Sequence, residues 1–152
     1  MVGILFICHG NICRSPMAQF VMQHLVDERG LSSCFRIDSA ATSTEEIGSQ
    51  PHPKTRDMLR RNGIPCKSHR SRQMTHADVE ANDLVVCMDE RNVRNAERVA
   101  GPCGGKLVKL LSFAGIDRDV ADPWYTGDYE TAYDDISTGC AALLDWLVAN
   151  KL

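Results

Sequence analysis

The chain has 152 residues, 43% of them hydrophobic and 24% charged, with a formal net charge of −3. That is the length of one domain, residues 1–152, and the composition of a globular one, which excludes collagen-like, low-complexity and largely disordered chains. No apolar run reaches the roughly 18 residues a membrane helix needs, the run from Val2 to Cys8 has neither the basic flank nor the cleavage site of a signal peptide, and a net negative chain carries no general footprint for nucleic acid.

Val2-Gly-Ile-Leu-Phe-Ile7 reads as a strand buried on both faces. Residues 8–15, CHGNICRS, read as a loop, and Pro16 sits in the first turn of a helix, where proline is tolerated. Met17, Phe20, Val21, Leu25 and Val26 give that helix its apolar face, and Gly30 stops it. Phe35–Asp38 is a candidate second strand, and the polar residues 39–53 read as loop. A helix is predicted from Pro53 to Asn62, ending at Gly63. Leu84–Met88 is a second buried strand, and Asp89 caps a helix running to about Ala100. Lys106–Leu110 is the fourth strand candidate. The last helix starts near Asp128 and carries Ala132, Tyr133, Ile136, Cys140, Leu143, Leu144 and Leu147 at helical spacing. Strands alternating with helices predict an α/β fold: a parallel sheet covered on both faces, with a ligand site beyond the carboxyl ends of the strands.

Between Lys54 and Arg72 there are seven Lys or Arg and one Asp57. A solvated surface is the ordinary reading of such a segment, and a basic rim for an anionic substrate is the alternative. The seven cysteines are irregularly spaced and include no C-x-x-C, so neither a disulfide framework nor a zinc ribbon is offered. Reduced thiols in a cytoplasmic protein fit better.

A cysteine six residues before an arginine occurs twice, at Cys8 and Arg14 and at Cys66 and Arg72. Only the first has a structural frame. Cys8 follows a strand, Gly10 and Asn11 permit positive φ, and Ser15-Pro16 opens a helix. That frame aims backbone N–H groups and a helix N-terminus at one spot. An oxyanion is held there by amides and by a bidentate guanidinium from Arg14, and the same field favours an anionic Cys8 sulfur. A cysteine inside a phosphate cradle points to attack on phosphorus, and expelling an alkoxide or phenoxide calls for a general acid. Asp122 in Ala-Asp-Pro-Trp-Tyr is the candidate, against the plainer reading of a turn aspartate before proline.

C-x-G-N-I-C-R-S-P at the start, Asp38-Ser-Ala-Ala-Thr-Ser43, Gly63-Ile-Pro65, Cys87-Met-Asp-Glu90 and the late Asp-Pro-Trp-Tyr resemble the low-molecular-weight protein tyrosine phosphatases over nearly the whole length. The resemblance implies a four-stranded parallel sheet flanked by helices, hydrolysis of phosphotyrosine in proteins, and no metal or cofactor. It implies Cys8 as nucleophile, Arg14 as phosphate ligand and Asp122 as general acid. The cradle would be His9, Gly10, Asn11, Ile12, Cys13, Arg14 and Ser15, with Asn11, Ser15, Ser39 and His69 bracing it. Trp124 and Tyr125 would wall the substrate ring, and Cys8 and Cys13 would form a reversible redox pair. Two positions depart from the family's habit: His9, where an aliphatic residue is frequent, and Glu45, where an aromatic wall residue is frequent. An arsenate reductase of the same fold is the alternative activity, and oligomeric state is left open.

Overall fold

The computed structural model describes residues 1–152. Strand β1 (Val2–Cys8) leads into helix α1 (Arg14–Glu28) and then strand β2 (Phe35–Ala41). Helices α2 (Pro53–Arg61) and α3 (His76–Ala81) precede strand β3 (Leu84–Cys87). Helix α4 (Glu90–Ala100), strand β4 (Leu107–Lys109), the single turn α5 (Pro123–Thr126) and helix α6 (Tyr129–Lys151) complete the chain. The four strands form one sheet in the order β2-β1-β3-β4, and every pairing is parallel.

The apolar run of β1 has no polar side because helices cover both faces. Ile4, Phe6 and Cys8 join the larger core with α1, α2 and α6, while Leu5 and Ile7 join Val79, Val85, Cys87, Ala96 and Ala100 on the α3/α4 side. Alternation along the strand thus decides that Cys8 belongs to the α1/α6 face. From β1 the chain winds outward to β2 on one side and to β3 on the other, so β1 is the switch point of the sheet, where such folds bind ligands. Cys8 is its last residue.

Several boundaries differ from the sequence reading. Residues 39–41 belong to β2 rather than to a loop, because the ladder with β1 runs in register from Val2 opposite Phe35 to Cys8 opposite Ala41. Pairing to a central strand outweighs the weak strand propensity of Asp-Ser-Ala-Ala. Helix α1 begins at Arg14, so Arg14 and Ser15 lie in its first turn and not in the preceding loop. Strand β4 is confined to Leu107–Lys109, with Lys106 and Leu110 in adjoining 3₁₀ turns. Two short elements were not predicted. Helix α3 is held by a Thr75/Asp78 capping box, and α5 begins with Asp122 as its N-cap and Pro123 as its first residue. Asp89 caps α4 as predicted, accepting from the Asn92 amide at 2.7 Å.

Gly139 lies on the buried face of α6, where a Cβ would come within 2.5 Å of Leu110 Cγ. Leu110 is itself fully buried and cannot swing out of the way. The helix-propensity gain of alanine, about 1 kcal/mol, therefore meets an overpacking cost of about 1–3 kcal/mol. Gly139→Ala is expected to lower Tm by up to about 8 °C in calorimetry, whereas a rise would show that α6 and the Leu110 turn separate freely.

Candidate active site

Five residues separate the end of β1 from the start of α1. A reversal that tight needs one residue in the left-handed region, and Asn11 is the single non-glycine residue with positive φ, at 56°. Its side chain is buried and fully used. Nδ2 donates to Ser15 Oγ at 2.7 Å and to Ser39 Oγ at 2.9 Å. His69 Nε2 donates to Asn11 Oδ1 at 2.8 Å, and the same nitrogen lies 3.2 Å from Ser39 Oγ. Ser39 Oγ in turn donates to Gln19 Oε1 at 2.5 Å. The predicted brace of Asn11, Ser15, Ser39 and His69 is brought together, and Gln19, one turn into α1, is a member the sequence reading missed.

The loop carbonyls are tied from outside. Cys8 O accepts from the Thr42 amide at 3.0 Å, and His9 O from the Ser43 amide at 3.1 Å and its hydroxyl at 2.8 Å. Gly10 O accepts from Ser71 Oγ at 2.9 Å, Ile12 O from the His52 amide at 2.7 Å, and Cys13 O from Thr55 Oγ1 at 3.3 Å. With these carbonyls turned out, the amides that follow them, on His9, Gly10, Asn11, Cys13 and Arg14, turn to the other side, and none of the six from His9 to Arg14 donates to a protein acceptor. The Cys8 sulfur sits among them, 3.0 Å from Ser15 Oγ and 3.4 Å from the Ser15 amide, at the positive end of α1. Ser43, Ser71, Thr55 and His52 are polar residues in loops or at a helix start, and nothing in their local sequence marks them as anchors.

Arg14 is 2% exposed. Its Nη1 donates to Asp89 Oδ2 at 2.7 Å and to Val120 O at 2.8 Å, and Nη2 lies 3.4 Å from Asp122 Oδ2. Burial disfavours its charge, but the facing Cys8, Asp89 and Asp122 outweigh that and push its pKa above the ordinary guanidinium value. Asp89 thus has two duties, capping α4 with Oδ1 and holding Arg14 with Oδ2; only the first was legible. Asp122 uses Oδ1 to accept from the Trp124 amide at 3.1 Å, which leaves Oδ2 turned toward Arg14.

Cys8, His9, Gly10, Ile12, Cys13 and Arg14 line a cleft together with Glu45, Glu46, Asp122, Trp124 and Tyr125. Cys13 Sγ lies 3.3 Å from Tyr129 Oη, and burial pushes its thiol up to about 11. Cys66, the second cysteine with an arginine six positions on, is exposed, Arg72 is paired with Asp38 and Asp78, and neither residue lines the cleft.

What such a cleft can hold is a tetrahedral oxyanion, and what it brings to that anion is sulfur; this is the chemistry of the cysteine-dependent phosphatases. The comparisons agree with the geometry. Residues 3–152 match the sequence model of the family described as low molecular weight phosphotyrosine protein phosphatase. The low molecular weight protein-tyrosine-phosphatase YfkJ of Bacillus subtilis is 37% identical over 147 residues, covering 95% of this chain and 94% of that one. The human low molecular weight phosphotyrosine protein phosphatase is 39% identical over 149 residues, covering 94% of each. The crystal structure of YfkJ superposes with a TM-score of 0.96 at 36% identity over 100% of this chain and 98% of that one. The chain belongs to the low-molecular-weight phosphotyrosine protein phosphatase family.

The brace also has a pH signature. Burial pushes the pKa of His69 below its ordinary value, with Asp38 opposing and Arg72 adding to the shift. The unfolded chain takes up this proton near pH 6.5 while the folded one resists it, so the contribution of His69 to stability is present above pH 6.5 and is lost as pH falls below it. The Tm gap between wild type and His69→Gln is expected to narrow from pH 7.5 to pH 5.5. A gap that stays constant would show that His69 is not held neutral.

Proposed function

We propose that the chain, as one domain spanning residues 1–152, hydrolyses phosphotyrosine in proteins, and small aryl phosphates, through a phosphocysteine intermediate. The carrying observation is the run of six amides from His9 to Arg14 without a protein acceptor, in the loop that starts at the Cys8 sulfur and ends at the buried Arg14. Three non-bridging phosphate oxygens find their donors among the amides of His9 to Arg14, with Ser15 completing the loop. Arg14 Nη1 is saturated by Asp89 and Val120, so Nη2, at its long 3.4 Å from Asp122, is the nitrogen that turns to an oxygen of the transferring group.

Cys8 sulfur attacks phosphorus, the bond to the phenolic oxygen breaks, and Asp122 Oδ2 gives that oxygen its proton. Asp122 then takes a proton from water as the water attacks phosphocysteine, and the Ser15 hydroxyl, 3.0 Å away, steadies the departing sulfur. Trp124 and Tyr125, 57% and 73% exposed, offer flat apolar surface to the substrate ring. No step calls for a metal or cofactor.

Cys13 lies in the same loop and is the reading for a redox partner. Peroxide oxidises the Cys8 thiolate to sulfenic acid, and the Cys13 thiol attacks that sulfur and releases water to form the disulfide. An arsenate reductase is not favoured. A cysteine relay from Cys8 would have to reach Cys87 and Cys103, which lie in the core on the other face of the sheet, and burial pushes both thiols up. Seven free thiols suit a reducing cytoplasm, and no helix is long and apolar enough to cross a membrane.

Cys8→Ser is expected to abolish turnover while retaining phosphate or vanadate binding by calorimetry. Asp122→Ala is expected to lower kcat on phenyl phosphate by about 100- to 10,000-fold, and far less on p-nitrophenyl phosphate, whose leaving group hardly needs a proton. Equal losses on the two substrates would remove Asp122 from the acid role.

A further inference from the structure

The two positions that depart from the family's habit meet each other. His9 Nε2 lies 3.0 Å from Glu45 Oε2, and both residues line the cleft that holds Cys8. The contact is part of a clamp. The Ser43 amide and hydroxyl both bond His9 O, the Glu45 amide bonds Ser43 Oγ at 3.4 Å, and the Gly48 amide bonds Ser71 O at 2.8 Å. The turn that carries Glu45 is therefore anchored to the residue next to the sulfur. His9 Nδ1 is buried without a hydrogen-bond partner. An unpaired lone pair is a smaller burden there than an unpaired N–H, so the proton belongs on Nε2, where it is donated to Glu45. That contact fixes the Glu45 carboxylate at the edge of the cleft.

The rest of the lining leaves that charge unanswered. The one strong cation in the cleft, Arg14, is already engaged by Asp89 and Asp122. Glu46 also lines the cleft and accepts from Ser49 Oγ at 3.0 Å. Glu45 is 68% exposed at the side chain, so it stands at the mouth and not at the floor. Trp124 and Tyr125 present exposed aromatic faces to the same opening, which also attract cations. A phosphotyrosine reaching the sulfur must carry its neighbouring residues past this rim. A lysine or arginine beside it meets a fixed carboxylate and aromatic faces, and a glutamate beside it meets a like charge.

We propose that Glu45, positioned by His9, is a specificity-determining residue that favours phosphotyrosines flanked by lysine or arginine over those flanked by acidic residues. The proposal rests on the phosphatase reading above and adds the substrate class to it. Exposed charge pairs are individually weak, so the expected preference is about three- to tenfold in kcat/KM, and it shrinks as salt screens it.

The test uses two phosphotyrosine peptides that differ only in lysine or glutamate next to the phosphotyrosine. With wild type, the lysine peptide is expected to win by that factor at low salt. Glu45→Gln brings the ratio to about one and Glu45→Lys inverts it. His9→Leu shrinks the ratio, and adding Glu45→Gln to it shrinks it little further, because the two act as one unit. Circular dichroism confirms the fold of each variant. A wild-type ratio near one, or a ratio that survives Glu45→Gln, overturns the proposal while leaving the phosphatase reading standing. Phosphate release from neither peptide strikes the phosphatase reading itself, and the proposal falls with it.

Discussion

Six backbone amides can be offered to one anion only if their carbonyls have somewhere else to go. In an ordinary turn the two groups satisfy each other, and a loop with six idle donors would collapse onto its own oxygens. Here the carbonyls of Cys8, His9, Gly10, Ile12 and Cys13 are each claimed from outside by amides or hydroxyls of five different residues. Asn11 holds the reversal at φ 56° with three side-chain hydrogen bonds, two of them buried. The left-handed conformation costs an asparagine about 1 kcal/mol. Three such hydrogen bonds at about 1 kcal/mol each exceed that cost, so the strained loop is the resting one, and the oxyanion proposed to bind there finds its donors already in place.

Arg14 applies the same principle to charge. A buried guanidinium left unpaired would cost several kcal/mol. Asp89 removes that cost through a 2.7 Å contact from the start of α4, and the Val120 carbonyl adds a second acceptor on the same nitrogen. Asp122 contributes only a long contact, and its other oxygen is occupied with starting α5. The division matters for the chemistry. Asp89 holds the cation in place, while Asp122 keeps one oxygen on no more than the long contact, as its proposed role as acid requires. Two aspartates around one arginine therefore have different duties because one is tightly bonded and the other is not.

What the sequence made legible was what is local. The both-sided apolar run of β1, the left-handed asparagine of the loop (Gly10 beside it takes no positive φ), the capping by Asp89 and the apolar spacing of α6 each depend on neighbours within a few residues. All four stand in the structure. The extent of β2 was not local: Ser39 to Ala41 are strand because β1 offers them partners, and this is what carries the Ser39 hydroxyl to Asn11. The outer anchors Ser43, Thr55 and Ser71, the part played by Gln19 and the second duty of Asp89 arise from contacts across the fold and have no spacing of their own. The basic stretch from Lys54 to Arg72 divides accordingly. Arg60 and Arg61 share Asp57 on the surface of α2 and Arg72 bridges Asp38 and Asp78, whereas Lys54 Nζ lies 5.7 Å over the Tyr129 ring and Arg70 donates to Gly48 O.

The second cysteine–arginine pair shows why spacing alone was a poor guide. Cys66 and Arg72 are as far apart in sequence as Cys8 and Arg14, yet no strand end or helix start frames them, and Cys66 lies exposed on the surface. The arginine there spends both of its terminal nitrogens on carboxylates. At Cys8 the same spacing is bent by one positive φ, stretched outward by its carbonyls and closed by the first turn of a fifteen-residue helix. Five intervening residues set the reach between sulfur and guanidinium, but it is the placement of those residues' amides that turns a thiol and an arginine into a site for phosphate.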